Sequence, residues 1–383
     1  MRALVVDRSV DSGIALREVP EPRVGPDEVV VDVRAISLNR GELRMLASAP
    51  DGLRPGWDFA GILRTDVDGG PNAGERVVGI RRGQAWAERV SAPGNWLAAL
   101  PDGITFTQAA ALPTAGLTAL RTLRFGPAIL GRRVLVTGAS GGVGRFAIQL
   151  AHLGGADVTA LVSRPERAAG LAELGADRVV ADPDNVSGRF DLILESVGGS
   201  TLARLLTRLD PEGTLITFGN SSDETTTFNV SDVYPDALVR IRGFEVFYAP
   251  DPFARDLRFL ADVVADGKLD PQLADEMPWE AMPKALQRLE NRDVAGKVAL
   301  TINVDRVGSL RRGRTDTNGN RSRQDRFPVT WAFRGKGVSR DPCSLRAAVG
   351  RRLARRRTRA VAESLPRTAG VPAKSRSDFV GWR

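Results

Sequence analysis

With 383 residues, 42% apolar and 26% charged, the chain is long enough for two or three domains, and no apolar run reaches the ~20 residues that would span a bilayer. Its one cysteine, Cys343, excludes an intrachain disulfide, and a cytoplasmic home is the expectation. The net charge of +8 comes from residues 305–383, which carry +15 against −7 on residues 1–304, so charge gives the first 304 residues no basis for binding nucleic acid.

The N-terminus, MRALVVDRSVDSG, lacks the apolar stretch and cleavage site of a secretory signal and is expected to be a first strand. Up to about residue 112, short strands alternate with Gly, Pro and Asp punctuation. They are Ala3–Val6, Glu28–Ala35 after the Gly25-Pro26-Asp27 turn, Gly74–Gly79 and Ala85–Val90. This spacing predicts a β-rich unit.

Between about 113 and 254 the rhythm changes. Strands are predicted at Arg133–Thr137, Val158–Val162, Asp191–Leu194 and Thr214–Phe218. Helices are predicted at Gly144–Leu153, Pro165–Leu174 and Leu202–Leu209. Alternation of this kind predicts an α/β unit with a parallel sheet. Its first crossover carries the sharpest local signal, Val136-Thr137-Gly138-Ala139-Ser140-Gly141-Gly142-Val143-Gly144, a strand running through glycines into a helix. Gly141 allows backbone to approach a pyrophosphate, Gly144 allows the helix to pack on the sheet, and the free N–H groups of the helix start favour phosphate.

An NAD site places an acid at the end of the second strand for the ribose 2′-hydroxyl. Here Val162 or Ser163 occupies that position, followed by Arg164 and Arg167, whose guanidinium groups suit a 2′-phosphate. NADPH is therefore expected over NADH, and Glu166 lies too far into the helix start to be read as the ribose acid. A zinc site needs three or four ligands of Cys, His or carboxylate type. The chain has one His, His152, and one Cys, so a zinc-independent chemistry is expected, without a His-based triad.

Beyond residue 254, amphipathic helices are predicted at Phe253–Ala265 and Met282–Leu289, then a strand at Gly296–Ile302 that should return to the first unit. Residues 305–383 are dense in Arg, Gly, Ser and Thr and show no apolar face able to form a core. They are expected to be a disordered, appended or out-of-frame tail.

Residues 1 to about 304 resemble the medium-chain dehydrogenase/reductase superfamily in its zinc-independent, quinone oxidoreductase-like branch. The resemblance rests on Ala35-Ile36-Ser37-Leu38-Asn39, Gly56-Trp57-Asp58-Phe59-Ala60-Gly61, Ala109 through Ala119, the glycine loop, Asp191 through Gly199, Phe218 through Ser222, and Gly296-Lys297-Val298. It implies a GroES-like β-rich catalytic domain, residues 1–112 completed by 255–304, and a Rossmann domain, residues 113–254, with the cofactor between them. It further implies Asn39 beside nicotinamide and substrate, and Thr118 on the cofactor. Ser140, Gly141, Gly142 and Val143 would hold the pyrophosphate, with Ser163 and Arg167 on the 2′-phosphate. Val197, Phe218, Gly219 and Asn220 would lie along the nicotinamide. A homodimer is common in the family. The chain departs from relatives at Val180-Ala181-Asp182-Pro183, where they often carry a tyrosine and where an acid would weaken 2′-phosphate binding.

The expected reaction is hydride transfer to a quinone or an α,β-unsaturated carbonyl. Asn39 would bond the acceptor oxygen, water would supply the proton, and Trp57, Phe247 and Tyr248 would wall a flat substrate. The alternatives are a non-catalytic NADPH-binding regulator on the same fold and a tail that binds nucleic acid through phosphates.

Overall fold

A computed structural model describes residues 1–234, 238–248 and 252–303, so the expected tail lies outside the described residues. The first part holds β1 (Arg2–Val6), β2 (Ile14–Glu18), β3 (Glu28–Ser37), α1 (Arg40–Ser48), β4 (Asp58–Leu63), β5 (Arg76–Ile80), β6 (Arg89–Pro93) and β7 (Leu97–Ala99). In β3, Val29, Val31 and Val33 are buried and alternate with half-buried neighbours, the period-2 pattern of a strand with one face inward. From Ala35 to Ser37 every residue is buried, because β3 is there flanked by β4 and by the last strand of the fold.

Two helices, α2 (Phe106–Ala110) and α3 (Pro113–Phe125), lead into the second part. Pro113 opens α3, where its missing N–H costs nothing. Then come β8 (Arg133–Thr137), α4 (Gly142–Leu153), β9 (Asp157–Leu161), β10 (Arg178–Val180), β11 (Phe190–Glu195), α5 (Gly199–Leu206), β12 (Leu209–Thr217) and β13 (Arg240–Gly243). All their pairings are parallel, in the order β10-β9-β8-β11-β12-β13. This is the doubly wound order of dinucleotide-binding sheets, with its switch point between β8 and β11. The α/β class is as expected.

After α6 (Phe253–Ala265) the chain forms β14 (Leu273–Pro278), α7 (Met282–Glu290) and β15 (Lys297–Thr301). β15 lies antiparallel to β3, so the chain ends its described course in the seven-stranded sheet of its beginning, not in the parallel one.

Three elements differ from expectation. Pro165–Leu174 is not an α-helix. It is a 3-10 turn over Pro165–Ala168 followed by turns, and Gly170 at φ +76° breaks the helical path. The strand expected at Ala85–Val90 begins only at Arg89, because Ala85 and Trp86 are spent on loop hydrogen bonds to Gly56 and Pro55. The helix expected to end at Leu209 ends at Leu206, and Leu209 starts β12.

Candidate active site

The glycine loop joins β8 to α4 at the switch point. Gly138 sits at φ +57° and Gly141 caps α4. A Cβ on Gly144 would stand 2.6 Å from the Ala139 Cα and the Gly138 oxygen, both main-chain atoms that cannot yield, so only glycine lets α4 start this close to the sheet. The first N–H groups of α4, beside Ser140, Gly141, Gly142 and Val143, have no partner within the helix. That cradle fits a pyrophosphate. Buried Arg145 braces it from behind, donating to the Ser140 carbonyl at 3.3 Å, the Ala169 carbonyl at 3.0 Å and Gln272 Oε1 at 2.6 Å.

Arg167 is brought to this loop. Its Nη1 lies 3.5 Å from Ser140 Oγ and donates to the Val294 carbonyl at 3.3 Å. Burial, then the like charges of Arg164 and Arg292, push its pKa down. Arg40 is pushed down likewise, by burial, then by Arg292 and Arg44, with a smaller contribution from Arg167. Like charges therefore act on both Arg167 and Arg40, opposed in part by Asp293 and Asp223, and an anion beside Arg167 would relieve that repulsion. Ser163 and Arg164 are exposed at the end of β9 on the same side. Asp182 is already used, since its carboxylate accepts the Asp184 N–H at 2.9 Å and caps a 3-10 turn.

Val197, Phe218, Gly219 and Asn220 meet at the carboxyl ends of β11 and β12. The Phe218 N–H bonds Glu195 O at 2.9 Å, and the Ser222 N–H bonds Val197 O at 2.8 Å. Two arginines reach this loop from the β-rich part: Arg44 bonds the Asn220 carbonyl and Asp223, and Arg292 bonds the Ser221 carbonyl at 2.7 Å. Thr118 is buried in α3.

Asn39 precedes α1 and is fully engaged. Its N–H donates to Glu42 Oε2 at 2.7 Å, its Nδ2 donates to Asp58 Oδ2 at 2.8 Å, and its Oδ1 accepts from Lys297 Nζ at 2.7 Å. Lys297 also bonds the Leu38 carbonyl at 2.9 Å and Asp58 Oδ2 at 3.4 Å. Glu42 and Asp58 are 0% exposed and Lys297 is 3% exposed. Two carboxylates therefore share one ammonium in a dry site. Burial, then Asp58, pushes Glu42 well above the usual glutamate value, with Lys297 opposing. Burial pushes Lys297 below the usual lysine value, with Asp58 and Glu42 opposing. The Lys297 stem passes under the glycine loop, where a Cβ on Gly142 would stand 2.8 Å from its Cδ.

The aromatic residues divide. Trp57 and Phe247 meet edge to face with centroids 5.7 Å apart, and Trp96 lies 6.2 Å from Phe247. Tyr248 is 75% exposed, under the Arg82 guanidinium, and does not join that wall.

Glu42, Arg40, Arg44 and Arg292 escaped the sequence reading. Glu42 stands three residues after Asn39, the spacing of a capping box, and that was the available signal. Asp58 and Lys297 lie inside motifs that carried the family resemblance, but nothing local says that they meet. Among the described residues no group of His, Cys, Asp and Glu is placed to hold a metal ion. The nearest carboxylates, Glu42 and Asp58, are committed to Lys297 and to main-chain donors, which does not fit zinc.

Residues 174–300 match the family model described as zinc-binding dehydrogenase. The chain is 30% identical over 345 residues to acrylyl-CoA reductase AcuI of Ruegeria pomeroyi, covering 79% of this chain and 99% of that one. Among solved structures it is similar to the quinone oxidoreductase from Coxiella burnetii, at TM-score 0.67 and 26% identity over 79% of this chain and 99% of that one. A mycobacterial protein solved in complex with NADPH is similar at TM-score 0.71 and 25% identity, over 79% and 100% of the two chains.

Proposed function

The chain belongs to the medium-chain dehydrogenase/reductase superfamily, as an oxidoreductase of its quinone and acrylyl-CoA reductase type, and from that premise we propose an NADPH-dependent, zinc-independent reductase of quinones or α,β-unsaturated carbonyls. The β-rich part, residues 1–112 with 255–304, is the catalytic domain of this reading, and residues 113–254 hold the cofactor. A cytoplasmic protein acting on a small molecule is part of the same proposal.

The observation that carries it is the Arg167–Ser140 approach beside the glycine cradle, backed by Arg164 and Arg292. The N–H groups of Gly142 and Val143 would hold a pyrophosphate, and Arg164 and Arg167 would neutralise a 2′-phosphate. NADPH, when bound, would supply the hydride. Thr118, Val197, Phe218 and Gly219 would line the nicotinamide side, and Trp57 with Phe247 would wall the acceptor. A conjugated acceptor suits a site whose carboxylates are not free to bind a metal, because its own oxygen takes the developing charge. Asn39 shapes this wall as part of the Lys297 network. Its amide is committed to Asp58, Glu42 and Lys297, so it is a poor donor to an acceptor oxygen.

Fluorescence titration with NADPH and NADH, followed by a quinone and enone screen, tests the reading. Tighter NADPH binding and NADPH oxidation by one acceptor class are expected. Absence of binding by either nucleotide overturns it, and binding without turnover favours a non-catalytic NADPH-binding protein.

A further inference from the structure

The surroundings of Arg167 trace back to one buried side chain. Arg145 stands near the start of α4 and is 8% exposed. A helical side chain leans toward the N-terminus of its helix, and the guanidinium of Arg145 accordingly reaches back to the glycine loop. It forks three ways. Nε donates to the Ser140 carbonyl at 3.3 Å, Nη2 to the Ala169 carbonyl at 3.0 Å and Nη1 to Gln272 Oε1 at 2.6 Å. Each of these acceptors bears on Arg167. The Ser140 hydroxyl lies 3.5 Å from Arg167 Nη1. Ala169 is two residues beyond Arg167, at the end of the 3-10 turn that Arg164 caps. The Gln272 carbonyl accepts the Lys297 N–H at 2.9 Å, and three residues before Lys297 the Val294 carbonyl accepts Arg167 Nη1 at 3.3 Å. The glycine loop, the turn after β9 and the approach to β15 are thus gathered on one buried guanidinium.

Resting on the NADPH reading of this site, we propose that Arg145 is a positioning residue that sets the preference for a 2′-phosphate, by holding the turn of Arg164 and Arg167 in place against the glycine loop. The two parts of the site differ in how they are fixed. The glycine loop has main-chain bonds of its own, from the Gly141 N–H to the Gly138 carbonyl at 2.9 Å and from the Ala139 N–H to the Leu161 carbonyl at 3.2 Å. The turn after β9 is a 3-10 turn broken by Gly170 at φ +76°, so no α-helical ladder of its own fixes where Arg167 stands. The Arg145 bond to the Ala169 carbonyl does so instead. The cradle serves NADH and NADPH alike, and the turn serves only the 2′-phosphate. A misplaced turn therefore costs NADPH its charge-assisted bonds and leaves NADH nearly untouched.

Fluorescence titration of the full-length protein with NADPH and NADH gives the ratio of the two dissociation constants, and a thermal melt checks that each variant folds. The wild type is expected to favour NADPH. Arg145→Met should lower that preference about tenfold, with the NADH dissociation constant within about threefold of the wild type. Arg145→Lys keeps the charge and most of the stem but not the planar fork, and it should lose the preference to the same extent. In an Arg167→Ala background, Arg145→Met should change the preference by less than about twofold, because the guanidinium it positions is already gone. A folded Arg145→Lys variant with wild-type preference overturns the inference, since charge alone then suffices. Equal loss of both nucleotides overturns it as a merely structural effect. A fall as large in the Arg167→Ala background overturns it too, because Arg145 would then act without Arg167. If Arg145→Met does not fold, the lysine variant decides. A wild type that binds both nucleotides equally, or neither, overturns the NADPH reading itself and this inference with it.

Discussion

Lys297 Nζ stands 2.7 Å from Asn39 Oδ1 although 258 residues separate them. The contact ties the start of β15 to the start of α1, and the lysine stem lies under Gly142 on its way. One buried side chain thereby packs beside the glycine loop and bonds Asn39 at the start of α1. Lys297→Met leaves Asp58 and Glu42 buried without their counter-ion, and stability should fall by about 3–5 kcal/mol. Adding Asp58→Asn should cost less than the sum of the single changes, since one uncompensated carboxylate is gone. Urea denaturation of the four proteins measures this, and additive losses would show that the pair is not coupled.

The sequence made the parallel sheet legible because the strands are continuous apolar runs set between helices, and because Gly138 through Gly144 punctuate the first crossover. Pro165–Leu174 misled because its apolar spacing suits a helix, while Gly170, free to take φ +76°, ends the turn early. The candidate site was half legible. The cradle is local in sequence. The Asn39–Asp58–Lys297 cluster comes from α1, β4 and β15, and only the folded sheet brings these together. Arg292 was hidden for another reason. It sits at φ +60° just past α7, a conformation its own sequence does not announce, and from there it reaches Ser221.

Arg167 is half-buried, with the like charges of Arg164 and Arg292 acting on it and Asp293 opposing them, and among the described residues its hydrogen bonds go to the Ser140 hydroxyl and the Val294 carbonyl. On the proposed reading a 2′-phosphate would complete its partners. Arg167→Ala should weaken NADPH binding by about 10- to 100-fold, the loss of a charge-assisted hydrogen bond worth about 1.5–3 kcal/mol. NADH, which has no 2′-phosphate, should bind within about twofold of before. Fluorescence titration with both nucleotides measures the difference, and equal losses would place Arg167 elsewhere on the cofactor.

Gly41 supports Trp57 by having no side chain. A Cβ there would stand 2.5 Å from Trp57 Cη2, at the far end of an indole that can swing aside. Gly41→Ala should therefore fold with little loss, yet displace the indole from its edge-to-face contact with Phe247. The Michaelis constant for a flat acceptor should rise about tenfold, about 1.4 kcal/mol of lost contact, with NADPH binding unchanged. Steady-state kinetics beside a thermal melt separates this from general destabilisation, which would lower the melting temperature and leave the Michaelis constant where it was.

Glu195 closes β11 beneath the Val197 loop and is fully buried. Its Oε1 accepts the N–H groups of Val197 at 2.6 Å and Gly198 at 3.0 Å, and the Thr137 hydroxyl at 3.4 Å, while among the described residues its Oε2 has no hydrogen-bond partner. Burial, only partly offset by those donors, raises its pKa above the ordinary 4.5. The folded protein thus keeps this proton to a higher pH than the unfolded chain does. Below 4.5 both states hold it and no stability is lost. As pH rises past 4.5 the unfolded chain gives it up first, so stability declines until the folded carboxyl also ionises. Glu195→Gln keeps the acceptor oxygen and removes the charge. The variant should lack this decline and be the more stable form at neutral pH, by on the order of 1 kcal/mol. Urea midpoints of both proteins from acid to neutral pH measure it. The difference between the two curves isolates residue 195 from Glu42, whose raised pKa acts in the same direction in both proteins, and curves that stay parallel would mean that Glu195 ionises as freely in the fold as outside it.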